Sequence, residues 1–455
     1  MKDIPRILII AGSDSSGGAG IQADLKTVTA LGCYGMTAIT ALTAQNTRGV
    51  AATQAVSPEF LARQIDVCVT DIGVDAVKIG MLANAGIVRV VAEKIRQYKL
   101  PKVVLDPVMV AKSGASLLDA AGREELKKRL LPLAFVVTPN LPEAGVLSGR
   151  RVKDLTGMKR AARIIHRLGA KNVLIKGGHL PGKPTDILFD GKKFTTFEGK
   201  RIRSRHTHGT GCAFASFLAS FLAKGEGLEA AISCAKEFVA GAIFYAPGLG
   251  GGHGPINPAG PLLADYAKLR LLADINEALE RLKVARIAPL IPEVYSNLAA
   301  CLPGAKSQDE VAGIPGRMVR LGDSFTTVAP PAFGRTRHMP RILLTAHRYD
   351  PEVKAAMNIK CSRETLAACR KAGLALAKVD RRREPKRIRE TEGASLPWAV
   401  EVVYRRIRKI PDGIYDLGAL GKEPIIRIFG RDVFDVVRKI MAINSSLVTG
   451  RPNDK

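Results

Sequence analysis

The chain has 455 residues, enough for two or three domains at roughly 100 to 200 residues each, and its 46% hydrophobic and 24% charged residues exclude a disordered, collagenous or coiled-coil protein. A net charge of +27 favours nucleic acid, acidic membranes or phosphorylated small molecules as partners, and residues 1–261 (+14) and 262–455 (+13) share it, so neither half is a basic tail. The longest charge-free candidate span, Cys212 to Ala223, is short of the roughly 18 residues a bilayer requires, and Ile7 to Ala11 is too short for a signal segment, so a cytoplasmic protein without a membrane partner is expected.

Along the chain, short β-branched runs recur at Ile7 to Ile10, Ala76 to Ile79, Val103 to Leu105, Phe135 to Val137 and Val173 to Ile175. Runs apolar on both faces suit a buried parallel sheet. Helical patterns lie between them, at Ile21, Leu25, Val28 and Leu31 before Gly32, and at Leu155 to Leu168 before Gly169. The alternation predicts an α/β first half, with ligands gathered beyond the carboxyl ends of the strands. The stretch Gly248 to Pro261 cannot continue a helix and reads as a linker, dividing a first domain (1–258) from a second (265–455) through residues 259–264. Beyond it come a long helix at Leu263 to Leu282, a strand at Arg341 to Leu344, and helices at Leu366 to Leu376 and Val433 to Ile443. The second half is therefore a smaller α/β domain. Seven scattered cysteines without a CxxC pair suggest buried thiols, not a disulfide framework or a zinc knuckle.

The segment AGSDSSGGAGIQADLK (11 to 26) places Gly12, Gly17, Gly18 and Gly20 between a strand and a helix, where the backbone can approach a ligand or simply turn tightly. A sharper signal is HTHGTGCAFASFLASFLAKG (206 to 225). Phe214, Phe217, Leu218, Phe221 and Leu222 give its helix a core face, and the amides of Thr210, Gly211 and Cys212 form an anion hole at its start. The helix start favours a Cys212 thiolate placed to deprotonate a phosphoryl acceptor, although a small buried residue would also suit this cap. Asp106 and the Asn140-to-Glu143 segment follow strands, and carboxylates there suit magnesium held through water to nucleotide phosphates, with Lys176 as the neighbouring cation. Together they describe a site for phosphoryl transfer by positioning and charge neutralisation.

In the second half Arg317, Arg320, Arg335, Arg337, His338 and Arg341 crowd among glycines and prolines, which suits phosphate or diphosphate recognition by forked guanidinium groups. The run Arg381, Arg382, Arg383, Lys386, Arg387 and Arg389, diluted by acids, reads equally as a solvated face or an anion site.

Residues 5 to about 258 resemble the hydroxymethylpyrimidine and phosphomethylpyrimidine kinases of thiamine biosynthesis, within the ribokinase-like superfamily. The motifs are AGSDSSGGAGIQADLKT, ALTAQNTRGV, KIGML, VLDPVMVAKSG, TPNLPEA, IKGGH and HGTGCAFAS. The resemblance implies a three-layer α/β/α kinase domain in which Gln45 hydrogen-bonds an aminopyrimidine and Gly12, Asp24, Met81 and Val108 form its pocket. It implies that Asp106 and Glu143 serve the metal, that Asn140, Lys176, Gly209, Thr210 and Gly211 serve ATP, and that Cys212 stands where most ribokinase-like enzymes have an aspartate.

Residues 265 to 450 resemble the thiamine phosphate synthase domain found fused to such kinases, through GRMVRLGD, FGRTRHMPR, DPEVKAAMNIKC, DRRREP, PDGIYDLGALGKEP and IRIFGRDVFDVV. The similarity implies catalytic roles for Arg317 and His338, and substrate contact by Arg320, Asn358, Lys360 and Lys422. The implied ligands are ATP, Mg2+, hydroxymethylpyrimidine and its phosphates, and thiazole phosphate; a homo-oligomer is compatible and nucleic acid is not expected. Alternative readings are a C-terminal sensor or scaffold without synthase activity, and a kinase for pyridoxal-type vitamers.

Overall fold

The computed structural model describes residues 4–110, 114, 116–178, 180–419 and 421–448. Residues 111–113 and His179, within motifs quoted above, lie outside the described residues. The chain forms two compact units, Met1–Leu263 and Ala264–Lys455.

The first unit is built on a sheet of strands β1 (Arg6–Asp14), β2 (Tyr34–Gln45), β3 (Val50–Ala55), β4 (Ala76–Ile79), β5 (Val103–Leu105), β6 (Val136–Val137), β7 (Val173–Ile175), β8 (Thr185–Phe189) and β9 (Phe194–Glu198), in the order β3-β2-β1-β4-β5-β6-β7-β8-β9. The run from β2 through β7 is parallel, and β3, β8 and β9 are antiparallel additions at the edges. Its helices are α1 (Gly20–Ala30), α2 (Pro58–Asp71), α3 (Ala85–Gln97), α4 (Ala120–Glu125), α5 (Leu141–Ser148), α6 (Leu155–Arg167), α7 (Thr210–Ala223) and α8 (Leu228–Phe244). Both sheet faces are buried. Ile7 and Ile9 of β1 share an apolar cluster with α1, α7 and α8, while Leu8 and Ile10 share one with α2, α3, α5 and α6, which accounts for the unbroken apolar runs. Ser57, Asn84, Asp119, Asn140 and Asp154 cap the starts of α2 to α6 with side-chain oxygens. The starts of α1 and α7 carry no such cap, nor does that of α8.

The second unit holds most of α9 (Gly260–Val284), followed by β10 (Leu298–Cys301), β11 (Val311–Gly313), β12 (Met318–Leu321), β13 (Ser324–Thr327), β14 (Ala332–Phe333), α10 (His338–Tyr349), β15 (Ala355–Lys360), α11 (Arg363–Lys371), β16 (Leu376–Lys378), α12 (Lys386–Glu390), α13 (Ser395–Ile407), β17 (Gly413–Asp416), β18 (Ile425–Gly430) and α14 (Val433–Val448). Its sheet, β14-β11-β10-β15-β18-β17-β16, is antiparallel except where β16 meets β17, and β12 and β13 form a separate hairpin. Separate apolar clusters cover its two faces.

Three expectations are corrected. Arg341 to Leu344 is not a strand but part of α10, because Met339, Ile342, Leu343 and Ala346 are buried at helical spacing. The helix expected to reach Leu376 stops at Lys371, where Gly373 takes a φ of 75° and turns the chain into β16. The linker placed at 259–264 is helical from Gly260, since a proline in the first turn of a helix forfeits no hydrogen bond. No helix among the described residues is long and apolar enough to cross a membrane.

Candidate active site

A cavity of ≈ 580 Å³ opens where the parallel strands of the first unit end. Gly12, Gln45, Met81 and Val108 line it together with Asp106, Asn140, Glu143 and Lys176, and with Gly209, Thr210, Gly211 and Cys212. Asp24 is the exception among the expected residues. It is fully buried behind the wall, where Lys78 Nζ reaches its carboxylate at 2.6 Å and Ser216 Oγ donates to it at 2.7 Å. A carboxylate so buried needs a counter-ion, and its place is set by Lys78. The KIGML motif contains Lys78, but a lysine inside an apolar strand carries no sequence signal that its ammonium faces a cavity.

The glycine-rich turn is organised by Asp14, at the end of β1. Its carboxylate accepts from Ser16 N (2.9 Å), Ser16 Oγ (2.8 Å), Gly18 N (3.2 Å) and Ala19 N (2.8 Å), and lies 3.0 Å from His208 Nε2. Burial pushes against ionisation, but the bonds from His208 and Ser16 outweigh it and hold the Asp14 carboxyl at about 2. Gln45 Nε2 lies 3.0 Å from the same His208 nitrogen, so the side chain expected to read the substrate ring is tied to both loops. Sequence reasoning passes over Asp14 and His208; an aspartate opening a Ser-Ser-Gly-Gly turn is the one available cue.

The glycines admit other parts of the chain as much as a ligand. Gly20 (φ +55°) and Gly209 (φ +85°) sit where a Cβ would come within 2.3 Å of Gly12 O and 1.9 Å of Gly18 O, and a Cβ on Gly18 would meet His208 at 2.5 Å. The stretch after α8 is likewise stapled down: His208 N donates to Gly254 O (3.0 Å), Ile256 N to His208 O (3.2 Å) and His253 N to Thr47 O (2.9 Å).

At the other end of the cavity Lys176 Nζ pairs with Asp106 Oδ1 at 2.8 Å. A Cβ on Gly211 would lie 3.5 Å from both Asp106 and Lys176, so the uncapped start of α7 abuts the pair. Glu143 and Asn140 form a capping box, with Asn140 N donating to Glu143 at 2.8 Å and Glu143 N to Asn140 at 2.9 Å. Burial raises the Glu143 carboxyl to about 7, against the pull of Lys176. Among the described residues no group of three or more His, Cys, Asp and Glu could enclose a metal. Two wall carboxylates match the sparse protein donor set that magnesium takes when water and phosphates fill the rest of its shell.

Cys212 departs from expectation. Burial pushes its thiol up to about 11; Lys78 and a hydrogen bond from the Gly20 backbone oppose the shift, whereas Asp24 and Asp106 add to it. The helix start does not produce a resident thiolate, because burial and two carboxylates outweigh it.

In the second unit three of the candidates, Arg317, Arg320 and Asn358, converge on the backbone of residues 291–297. Arg317 donates to Val294 O, Arg320 Nη2 to Ile291 O (2.7 Å) and Asn358 Nδ2 to Tyr295 O (2.9 Å), while Asn358 Oδ1 accepts from Asn297 N (2.8 Å). Arg317 (φ 71°) and Tyr295 (φ 66°) both hold left-handed backbone, which costs a non-glycine residue about 1–3 kcal/mol. Lys422 adjoins Glu423, which accepts the amides of Glu293 and Val294 at 3.1 and 3.0 Å. Lys360 follows Asn358 on the same face of β15, exposed at the strand end. His338 opens α10, and its imidazole pKa is lowered by burial and by Arg317 and Arg341.

The arginine run divides. Arg382 and Arg383 are exposed, but Arg381 turns inward to Asp416 at 2.8 Å, which also holds Arg427 at 2.7 Å. Asp416→Asn leaves two inward guanidinium groups without their shared counter-charge. It is expected to cost about 3 kcal/mol. A calorimetric scan should show the second unit melting roughly 6–12 °C lower, and an unchanged transition would remove this account.

The phosphomethylpyrimidine kinase family model matches residues 14–257, and that of the thiamine-phosphate synthase ThiN matches residues 274–442. The thiamine biosynthesis bifunctional protein ThiED of Geobacter sulfurreducens is 56% identical over 252 residues, covering 55% of this chain and 51% of that protein. The hydroxymethylpyrimidine/phosphomethylpyrimidine kinase of Bacillus subtilis is 48% identical over 256 residues, covering 56% of this chain and 94% of the kinase. The chain thus spans about half of the first relative and nearly all of the second. Among solved structures, an ADP complex of Bacillus subtilis pyridoxal kinase aligns with a TM-score of 0.54 and 39% identity, over 57% of this chain and 100% of that one. Staphylococcus aureus pyridoxal kinase with AMP-PCP and pyridoxal aligns with a TM-score of 0.53 and 36% identity, over 57% and 95%.

Proposed function

On the premise that the chain belongs to the phosphomethylpyrimidine kinase family through residues 14–257, in a ribokinase-like first unit, we propose that this unit phosphorylates 4-amino-5-hydroxymethyl-2-methylpyrimidine twice with ATP. The second unit then couples the diphosphate to thiazole phosphate, giving thiamine phosphate and pyrophosphate. The observation that carries the kinase reading is the single cavity wall shared by Gln45, Asp106, Lys176 and Cys212.

Gln45, Met81, Val108 and Gly12 hold the pyrimidine ring. The amides of Gly211 and Cys212, in a first helical turn that lacks intrahelical acceptors, face the transferred phosphoryl group with Lys176 beside them. Asn140 and Glu143 border the nucleotide, and Asp106 and Glu143 are the residues that would hold Mg2+. The ion supplies neutralisation of the phosphate charge. Cys212 takes the hydroxyl proton in the first transfer, and it does so as thiolate.

Because the thiol lies near 11, the thiolate fraction grows as pH rises towards that value. The rate of the first transfer is therefore expected to climb between pH 7 and 9, and Cys212→Ser should flatten the profile. A level profile in the unaltered protein would remove the base role. In the second unit Arg317, Arg320, Lys360 and Lys422 receive the diphosphate and phosphate, while His338 and Asn358 orient the reacting groups.

The direct test incubates the protein with hydroxymethylpyrimidine, ATP, Mg2+ and thiazole phosphate and separates the pyrimidine products. Thiamine phosphate is expected. Accumulated pyrimidine diphosphate would reduce the second unit to a sensor or scaffold. The two pyridoxal kinase structures favour a second reading, in which pyridoxal is also a substrate of the first unit. Direct competition between pyridoxal and hydroxymethylpyrimidine decides it.

A further inference from the structure

Two transfers in one cavity make different demands. In the first, the hydroxymethyl oxygen attacks the γ-phosphorus, the bond from that phosphorus to the bridging oxygen breaks, ADP leaves with the electron pair, and the hydroxyl proton goes to a base. In the second, the attacking oxygen belongs to a phosphate monoester that is already ionised, so no proton needs to be removed. Instead the cavity must accept a group of charge about −1.5 to −2 where a neutral hydroxyl stood before. Asp14, Asp106 and Glu143 line the same cavity and repel it.

The cations along the wall are mostly committed or remote. Lys176 pairs with Asp106 at 2.8 Å and Lys236 with Asp186 at 2.5 Å. Arg201 donates to the carbonyls of Gly178, Leu180 and Gly182, and with Lys200 it follows β9, at the opposite edge of the sheet from β2. Lys78 differs. It lies on β4, between the strands that lead to Gly12 and Asp106, it is fully buried, and it lines the cavity with Met81 and Cys212. An ammonium carries three donors, and among the described residues Lys78 Nζ, like Lys176 Nζ, makes one hydrogen bond, here to Asp24, whose carboxylate stands behind the wall and not in the cavity. A Cβ on Gly80 would come within 2.8 Å of Nζ, so the glycine makes room for it.

We propose that Lys78 receives the phosphate of the monophosphate during the second transfer, held in position by Asp24 and Ser216. The inference rests on the two-step kinase reading and adds the residue that lets one site serve a neutral and then a charged acceptor. Burial works against the Lys78 charge, but Asp24 opposes it and the ammonium stays protonated above the ordinary lysine range.

The test measures each transfer separately, with hydroxymethylpyrimidine or its monophosphate as acceptor, for the unaltered protein, Lys78→Met, and Lys78→Met with Asp24→Asn. The double variant leaves no unpaired buried carboxylate and so separates the role from a folding defect. Expected is a fall of about 100-fold or more in kcat/KM for the monophosphate, carried mostly by KM, against less than about tenfold for the hydroxymethyl acceptor. Lys78→Arg should recover part of the loss. Equal falls for both acceptors, or an unchanged KM for the monophosphate in the double variant, would overturn the inference. An unaltered protein that phosphorylates neither acceptor would instead overturn the kinase reading, and the inference with it.

Discussion

Replacing Lys176 by Met is expected to lower kcat/KM for both phosphoryl transfers by about 1,000-fold, equivalent to roughly 4 kcal/mol of lost transition-state stabilisation. Its side chain is only 16% exposed and its ammonium lies 2.8 Å from Asp106. Burial opposes that charge, but Asp106 and Glu143 more than compensate and keep it above the ordinary lysine range. Without it, two carboxylates face an incoming triphosphate with no cation between them and the start of α7. Glu143 should also titrate higher, because Lys176 is what restrains its rise. Steady-state kinetics on a variant with an unchanged melting temperature checks this, and a loss below tenfold would mean that the helix start and the metal suffice. Lys176→Arg should recover little, since a forked guanidinium does not reproduce a compact ammonium beside Asp106.

Arg317→Ala and His338→Ala are each expected to reduce thiamine phosphate formation by about 1,000-fold or more, while leaving both kinase rates within about twofold. The guanidinium of Arg317 is committed to the carbonyl of Val294 from a left-handed backbone that a lysine could adopt but not exploit in the same way, so Arg317→Lys should rescue poorly. Burial, Arg317 and Arg341 hold His338 below the usual imidazole range, so it is neutral at neutral pH. Synthase activity should accordingly persist to mildly acidic pH and decline only once the ring protonates. Quantifying thiamine phosphate from added pyrimidine diphosphate isolates this step. Full activity in either variant would remove that residue from the reaction.

The legible parts of the chain were those in which one physical signal dominates. β1, β4, β5 and β7 are short apolar runs, and burial on both faces explains why they read so plainly. β2 did not, because Tyr34–Gln45 mixes threonine, alanine and glycine with few β-branched apolar residues. The second unit reads poorly for a different reason: its sheet is mostly antiparallel with strands of two to six residues, and α10 opens on His338-Met339-Pro340, which suggests a break instead of a helix start. In the cavity, motif residues with exposed chemistry were found from sequence. Asp14, Lys78 and His208 were not, since their significance lies in partners up to 194 residues away, as in the Asp14 and His208 pair. The direction of the Cys212 thiol shift is not legible in the sequence, because helix position is visible there whereas burial beside Asp24 and Asp106 is not.

The hydrogen bonds that bring residues 253–256 back onto Thr47 and His208 set the smallest piece of chain that can work alone. A kinase excised at the first glycine of the stretch, Gly248, would keep every strand and helix of its layers yet lose the ribbon that braces His208, and through it Asp14 and Gln45. The autonomous catalytic fragment is therefore expected to extend at least to Ile256, eight residues past the glycine at which the stretch begins.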